Sequence, residues 1–163
     1  MAIEIERKFL VRDESWRNAA SAGVVMRQGY LSRNAKNSTR VRIAGEKAHL
    51  NIKSATPGCV RTEYEYPLPV AEAEDILRHL VLGAVVEKTR YYVECDGFVF
   101  EIDEFTGANR GLVLAELELK ALDQDFPRPA WLGPEVSDRL RYYNSELAFH
   151  PFSAWTPAER AGA

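Results

Sequence analysis

The chain has 163 residues, 46% of them hydrophobic and 28% charged, with a formal net charge of -3. That length suits one domain with a real core, and the charge excludes a global basic footprint for nucleic acid. Cys59 and Cys95 are the only cysteines and form no Cys-x-x-Cys pattern, which argues for a reducing compartment and against a thiolate zinc site or a disulfide framework. The first residues carry charges instead of an apolar run, so no signal peptide is expected. No stretch has the apolar length of a membrane span, and the cytoplasm is the expected location.

The opening segment, Met1 to Phe9, reads as a strand. Alternation places Glu4, Glu6 and Lys8 on one face, with Ile3, Ile5 and Phe9 on the other. Two carboxylates one pleat apart can share a divalent cation, and a lysine one pleat further can hold an anion beside it. Asp13 is a candidate cap for a short helix through Ala20, anchored by Trp16. A strand is expected at Val24–Leu31 and a loop at Asn34–Ser38. Arg40–Ile43 and His49–Ser54 form a hairpin across Ala44-Gly45-Glu46-Lys47. Thr56-Pro57-Gly58 is a turn, and Arg61–Tyr66 is a strand stopped by Pro67 and Pro69. Val70–Leu82 switches to helical period, with Val70, Ala73, Ile76, Leu77 and Leu80 on one face and Gly83 as its stop. Strands follow at Val86–Glu94, Phe98–Phe105 and Leu112–Leu122, the first two joined through Asp96-Gly97. Phe126–Pro134 reads as irregular, and a helix is expected around Ser145–Ala148.

Strand after strand has one apolar face and one face of formal charges. Arg40 pairs with Arg42, Arg61 with Glu63 and Glu65, Lys88 with Arg90, Glu101 with Asp103, and Glu116 with Glu118 and Lys120. Two architectures satisfy this pattern: an open sheet with a wetted charged face, or a sheet closed around its charges. About eight strands is the number for a small barrel, and closure removes exposed edges. A dry interior of this content is impossible, because breaking one buried pair costs roughly 3–5 kcal/mol. A closed barrel must hold water, mutually paired charges or a ligand. A polyanion with hard divalent cations, Mg²⁺ or Mn²⁺, fits an oxygen-only donor set.

Glu4-Ile5-Glu6-Arg7-Lys8 resembles the ExExK signature of the CYTH domain, also called the triphosphate tunnel metalloenzymes. The motifs that follow keep that family's order: Gln28-Gly29-Tyr30-Leu31, Arg40-Val41-Arg42, Lys53, Arg61-x-Glu63-x-Glu65, Lys88-Thr89-Arg90-Tyr91, Glu101-x-Asp103, Glu116-x-Glu118 and Tyr143-Asn144-x-x-Leu147. The resemblance runs from about Ala2 to Ala148. It implies an α+β fold, a closed eight-stranded antiparallel tunnel with a charged interior and helices outside. Residues 1–150 would be the tunnel domain and 151–163 a tail without an assigned role.

By position, the resemblance makes Glu4, Glu6, Glu116 and Glu118 metal ligands or their supports. Glu63, Glu65 and Asp103 are lesser candidates for a second metal or for orienting water. Arg40, Arg42, Lys53, Arg61, Lys88 and Arg90 would hold phosphate oxygens, and Lys8 with Tyr30 would activate water. That role assumes that Lys8 sits among cations, which would favour its neutral form. The expected activity is metal-dependent hydrolysis of inorganic triphosphate. The alternatives are ATP cyclisation, a thiamine or nucleoside triphosphatase, and a non-catalytic polyphosphate-binding module. The expected partner is a small triphosphate, with neither nucleic acid nor membrane expected and a homodimer left open. His49, His79 and His150 lack ligand spacing, and Trp16, Trp131 and Trp155 read as packing residues.

Overall fold

The structure, a computed structural model, describes residues 3–162. Met1 and Ala2, at the head of the expected first strand, and Ala163 lie outside the described residues. Nine strands form: β1 (Ile3–Val11), β2 (Val24–Arg33), β3 (Asn37–Ala44), β4 (Lys47–Ser54), β5 (Val60–Leu68), β6 (Leu82–Cys95), β7 (Phe98–Phe105), β8 (Val113–Glu118) and β9 (Leu132–Glu135). The helices are α1 (Val70–His79), α2 (Asn144–Leu147) and α3 (Pro157–Arg160), with short 3₁₀ turns between elements.

The sheet runs β5-β4-β3-β2-β6-β7-β8-β1, and β1 pairs back onto β5. Every pairing is antiparallel, so eight strands close into a barrel. β1 completes the closure by dividing one edge. Its start pairs with β5 through Ile3–Ile5, and its end pairs with the added strand β9 through Phe9 and Val11.

Three apolar clusters hold this frame. On the outer wall, Phe9, Phe100, Ile102, Ala115 and Leu117 pack under Trp16 and Trp131. Beneath α1, Val41, Ile43 and Ala48 meet Ala73 and Leu77, the helical stripe that the sequence pattern marks. The third cluster fills one end of the barrel. There Tyr30, Val86, Phe105 and Leu114 meet Val136, Tyr142, Leu147 and Trp155. The segment after β9 therefore closes that end, and the tail packs onto it through Trp155.

Four local expectations change. The helix stops at His79 and β6 begins at Leu82, so Gly83 does not end the helix. Gly83 lies in β6 with φ +67, where the register with β2 slips. A Cβ there would stand 2.7 Å from the Ala148 carbonyl oxygen, which accepts from Ala84 N–H. Glycine is needed at that close approach more than at a cap. The span expected to be irregular contains β9, which tolerates Pro134 because only one edge of that strand is paired. β8 ends at Glu118 and not Leu122, so Lys120 leaves the barrel face, and its N–H is bonded by Gln124. Between Asp13 and Ala20 the chain forms a 3₁₀ helix, Ser15–Ala19, entered through the Asp13 carboxylate accepting Ser15 N–H.

Candidate functional site

Alternation turns one face of each barrel strand inward, and the inward side chains surround a cavity of about 180 Å³. Glu4, Glu6, Lys8, Tyr30, Arg40, Arg42, Lys53, Arg61, Glu63, Lys88, Arg90, Glu116 and Glu118 all line it. The structure thus gathers every candidate residue into one site except Asp103, which is fully buried behind the lining. Glu65, Glu101, Asn51 and Tyr143 line the cavity as well.

The carboxylates divide into groups with different partners. Glu6, Glu101 and Glu116 converge, with one oxygen of each within 4.8 Å of the others. The register explains this: Glu101 faces Glu116 across β7 and β8, while Glu6 lies one pleat from the Lys8–Glu116 pair across β1 and β8. Glu4 is instead bound by Lys53, whose Nζ lies 3.0 Å from Oε2. Glu63 lies 3.6 Å from Lys53 and accepts from Asn51 Nδ2, which also donates to Glu65. Glu118 lies opposite Glu6 in the β1–β8 register and is exposed.

Asp103 anchors two cations. Arg90 Nε donates to its Oδ1 at 2.7 Å and Arg90 Nη2 to its Oδ2 at 2.8 Å, while Lys88 Nζ donates to Oδ2 at 2.6 Å. Both oxygens are occupied, and burial's upward push on this carboxyl is outweighed by Arg90 and Lys88, which hold it below the usual range. Burial lowers Lys88 to about 8, with Asp103 opposing and Arg90 adding.

Lys8 corrects its expected setting. Its Nζ donates to Glu116 Oε1 at 2.8 Å, and its nearest charges are carboxylates, not cations. Burial disfavours its ammonium, but Glu116 and Glu6 outweigh burial and raise it above the ordinary lysine value. Glu116 in turn is held well below its ordinary value, because Lys8, Arg90 and Lys88 overcome its burial. Glu6 goes the other way, up to about 8, through burial and the neighbouring Glu116, only partly offset by Lys53. The Glu6 carboxylate makes no hydrogen bond or ion pair among the described residues. It is the carboxylate of the cluster most short of positive charge.

The cations divide just as clearly. Lys8, Lys53, Lys88 and Arg90 each have a carboxylate within 3.0 Å. Among the described residues Arg40, Arg42 and Arg61 do not: Arg42 comes no nearer than 3.8 Å to Glu65, and Arg40 meets Gln28 Oε1 at 3.4 Å and the Tyr30 hydroxyl beside it. The Nε atoms of Arg40 and Arg42 are buried without a partner. Burial and the neighbouring Arg40 and Arg90 lower Arg42, the direction that like charges impose. One wall of the cavity therefore presents guanidinium forks that no close carboxylate neutralises, suited to phosphate oxygens. The other presents converging carboxylates, whose oxygen-only chemistry suits a hard divalent cation.

Glu101 is the site residue that the sequence leaves off the metal set. Alternation puts it on the charged face with Asp103, but only the strand register brings it to Glu116. The reverse holds for Asp103, whose partners on β6 are fixed by the same register.

The CYTH domain family model matches residues 2–148. An inorganic triphosphatase of Acetivibrio thermocellus is 43% identical over 152 residues, covering 93% of this chain and 97% of that protein. An inorganic triphosphatase of Nitrosomonas europaea is 39% identical over 149 residues, covering 89% of this chain and 96% of that one. A crystal structure of an inorganic triphosphatase superposes with a TM-score of 0.64 at 36% identity, covering 91% of this chain and 95% of its own. A conserved hypothetical protein from Pyrococcus furiosus shares the fold at a TM-score of 0.58 and 16% identity, over 74% of this chain and 80% of its own.

Proposed function

The chain belongs to the CYTH domain family, and on that premise we propose that it hydrolyses inorganic triphosphate with the help of a divalent metal ion. The observation that carries this reading is the division of the cavity. Three arginines with no carboxylate nearer than 3.8 Å among the described residues stand in one lining with a converging carboxylate cluster and a buried Lys8–Glu116 pair. A purely structural core gains nothing from guanidinium forks left without partners. A binding module would need only the cations.

In this reading the phosphate chain lies along Arg40, Arg42 and Arg61. Glu6, Glu101 and Glu116 would hold Mg²⁺ or Mn²⁺, with Glu4, Glu63 and Glu118 nearby. A bound metal supplies charge neutralisation at the phosphate oxygens. A water oxygen forms a bond to the terminal phosphorus while the bridging P–O bond breaks. The electron pair leaves with pyrophosphate, and the water's proton passes to solvent. The arginine wall stabilises the charge that accumulates on the leaving group. Asp103 keeps Arg90 and Lys88 fixed behind the reacting groups. Lys8, held as an ammonium by Glu116 and Glu6, stands beside the reacting groups as a fixed positive charge and accepts a proton only after releasing its own to solvent.

Among the described residues, Tyr30 and Tyr143 are the aromatic lining of this cavity. Tyr30 is packed into the closed end and the Tyr143 hydroxyl is already bonded. This supports a substrate without an organic ring over ATP or thiamine triphosphate. The test is phosphate release from tripolyphosphate, ATP and thiamine triphosphate, with Mg²⁺, Mn²⁺ or EDTA. Metal-dependent turnover that favours tripolyphosphate is expected. Conversion of ATP to cyclic AMP and pyrophosphate would replace this reading with a cyclase, and binding without turnover with a polyphosphate-binding module.

A further inference from the structure

Arg61 is held in an unusual way for a buried-site cation. Its guanidinium makes no hydrogen bond and no ion pair among the described residues. Its guanidinium carbon instead lies 5.0 Å from the ring centroid of Tyr143. Lys8 Nζ lies 5.9 Å from the same ring. Tyr143 is 7% exposed, and its hydroxyl is used twice, donating to the Ser137 carbonyl at 2.6 Å and accepting from Gly58 N–H at 3.2 Å. Ser137 Oγ in turn accepts the backbone N–H of Lys8 at 2.9 Å. The ring is thus pinned between the loop that precedes β5 and the segment after β9, at the wall where β1 meets both.

A carboxylate in place of that ring would orient Arg61 but compete with phosphate for its fork. An aromatic face attracts a guanidinium through its quadrupole and leaves the N–H donors free. We propose that Tyr143 is a positioning residue for Arg61: it holds the guanidinium in the cavity, un-neutralised, so that the fork is available to a phosphate oxygen. The proposal rests on the reading of the cavity as a phosphate site, but it concerns binding and not turnover.

The test is a double-mutant cycle on tripolyphosphate binding, measured by calorimetry in EDTA so that hydrolysis does not intervene. Wild type, Tyr143→Leu, Arg61→Gln and the double variant are compared, with Tyr143→Phe as a variant that keeps the ring. If Tyr143 acts through Arg61, each single change to Leu or Gln weakens binding about three- to tenfold. The double variant is then no weaker than Arg61→Gln, and Tyr143→Phe stays closer to wild type than Tyr143→Leu. Independent, additive losses would overturn the proposal, as would wild-type affinity in Tyr143→Leu. If Tyr143→Leu does not fold, a Tyr143→Phe loss that persists in the Arg61→Gln background overturns it equally. Wild-type binding in EDTA joined to no phosphate release when Mg²⁺ or Mn²⁺ is supplied would defeat the triphosphatase reading while leaving the cycle readable. Absence of binding in wild type would overturn both.

Discussion

Glu101 and Glu116 stand directly opposite one another across β7 and β8, a like-charge pairing that ordinarily costs a sheet stability. Arg90 is drawn to both, with Nη1 on Glu101 and Nη2 on Glu116, yet Glu6 joins them and has no cation of its own. Removing one carboxylate should therefore separate two effects. Glu6→Gln should raise the melting temperature in EDTA above pH 8, by relieving a buried charge. It should also weaken Mn²⁺ binding by at least about tenfold, since even outer partners of metal ligands matter that much. Calorimetric Mn²⁺ titration and thermal melts with and without EDTA check both. Unchanged Mn²⁺ affinity would remove Glu6 from the metal set.

The pH dependence of the metal-free protein follows from two groups with opposite signs. Glu6 rises from 4.5 to about 8 in the fold, so its contribution is fully present below the unfolded value and is lost as pH climbs through 8. Lys88 falls from 10.5 to about 8, so its contribution is present above 10.5 and is lost as pH drops through 8. The two contributions reach their joint minimum near pH 8. Denaturant melts in EDTA from pH 5 to 10 should show it. Glu6→Gln should flatten the acid limb and Lys88→Met the alkaline one. A limb that survives its substitution assigns the titration to another group.

The arginines make a contrast within one cavity. Arg42 has no close carboxylate, so Arg42→Gln should leave the fold intact and raise KM for tripolyphosphate about tenfold or more, the loss of a charge-assisted hydrogen bond. Arg90→Gln leaves the fully buried Asp103 with Lys88 as its remaining cation and its Oδ1 without Arg90 Nε, and should cost about 3–5 kcal/mol of stability. Steady-state kinetics and urea unfolding on both variants test the division. Equal destabilisation by the two would show that Arg42 is as structurally committed as Arg90.

What the sequence makes legible, and what it hides, follows from the range of each signal. Alternation is local, so the charged faces of β1, β3, β5, β6, β7 and β8 can be read directly, and a closed barrel is the arrangement that gives those faces a purpose. Which residues meet inside depends on register between strands distant in sequence. That is why Glu101 is absent from the metal candidates although it joins Glu6 and Glu116 in one carboxylate cluster, why the pairing of both Asp103 oxygens with Arg90 and Lys88 cannot be read locally, and why Lys8 is expected among cations when its partner is Glu116. Gly83 and Pro134 mislead for a related reason. Each is a local breaker in isolation, but Gly83 serves a close approach by Ala148 and Pro134 sits in the added strand beside β1.

The tail after Pro151 carries no motif, yet its packing predicts a large effect. Trp155 is 5% exposed and meets Tyr142 edge-on with ring centroids 5.2 Å apart, and its Nε1 donates to the His150 carbonyl. Tyr142 lies in the cluster that fills the closed end of the barrel, one residue before the Tyr143 that lines the cavity. Trp155→Ala should cost about 3–5 kcal/mol, the range for deleting a large buried aromatic. Because the loosened segment carries Tyr143, the same change should also weaken tripolyphosphate binding. Trp155→Phe, which keeps most of the apolar contact, should recover most of both losses. Urea unfolding and tripolyphosphate calorimetry on the two variants decide the matter: a Trp155→Ala protein with lowered stability but unchanged affinity would show that the tail supports the barrel end without reaching the site.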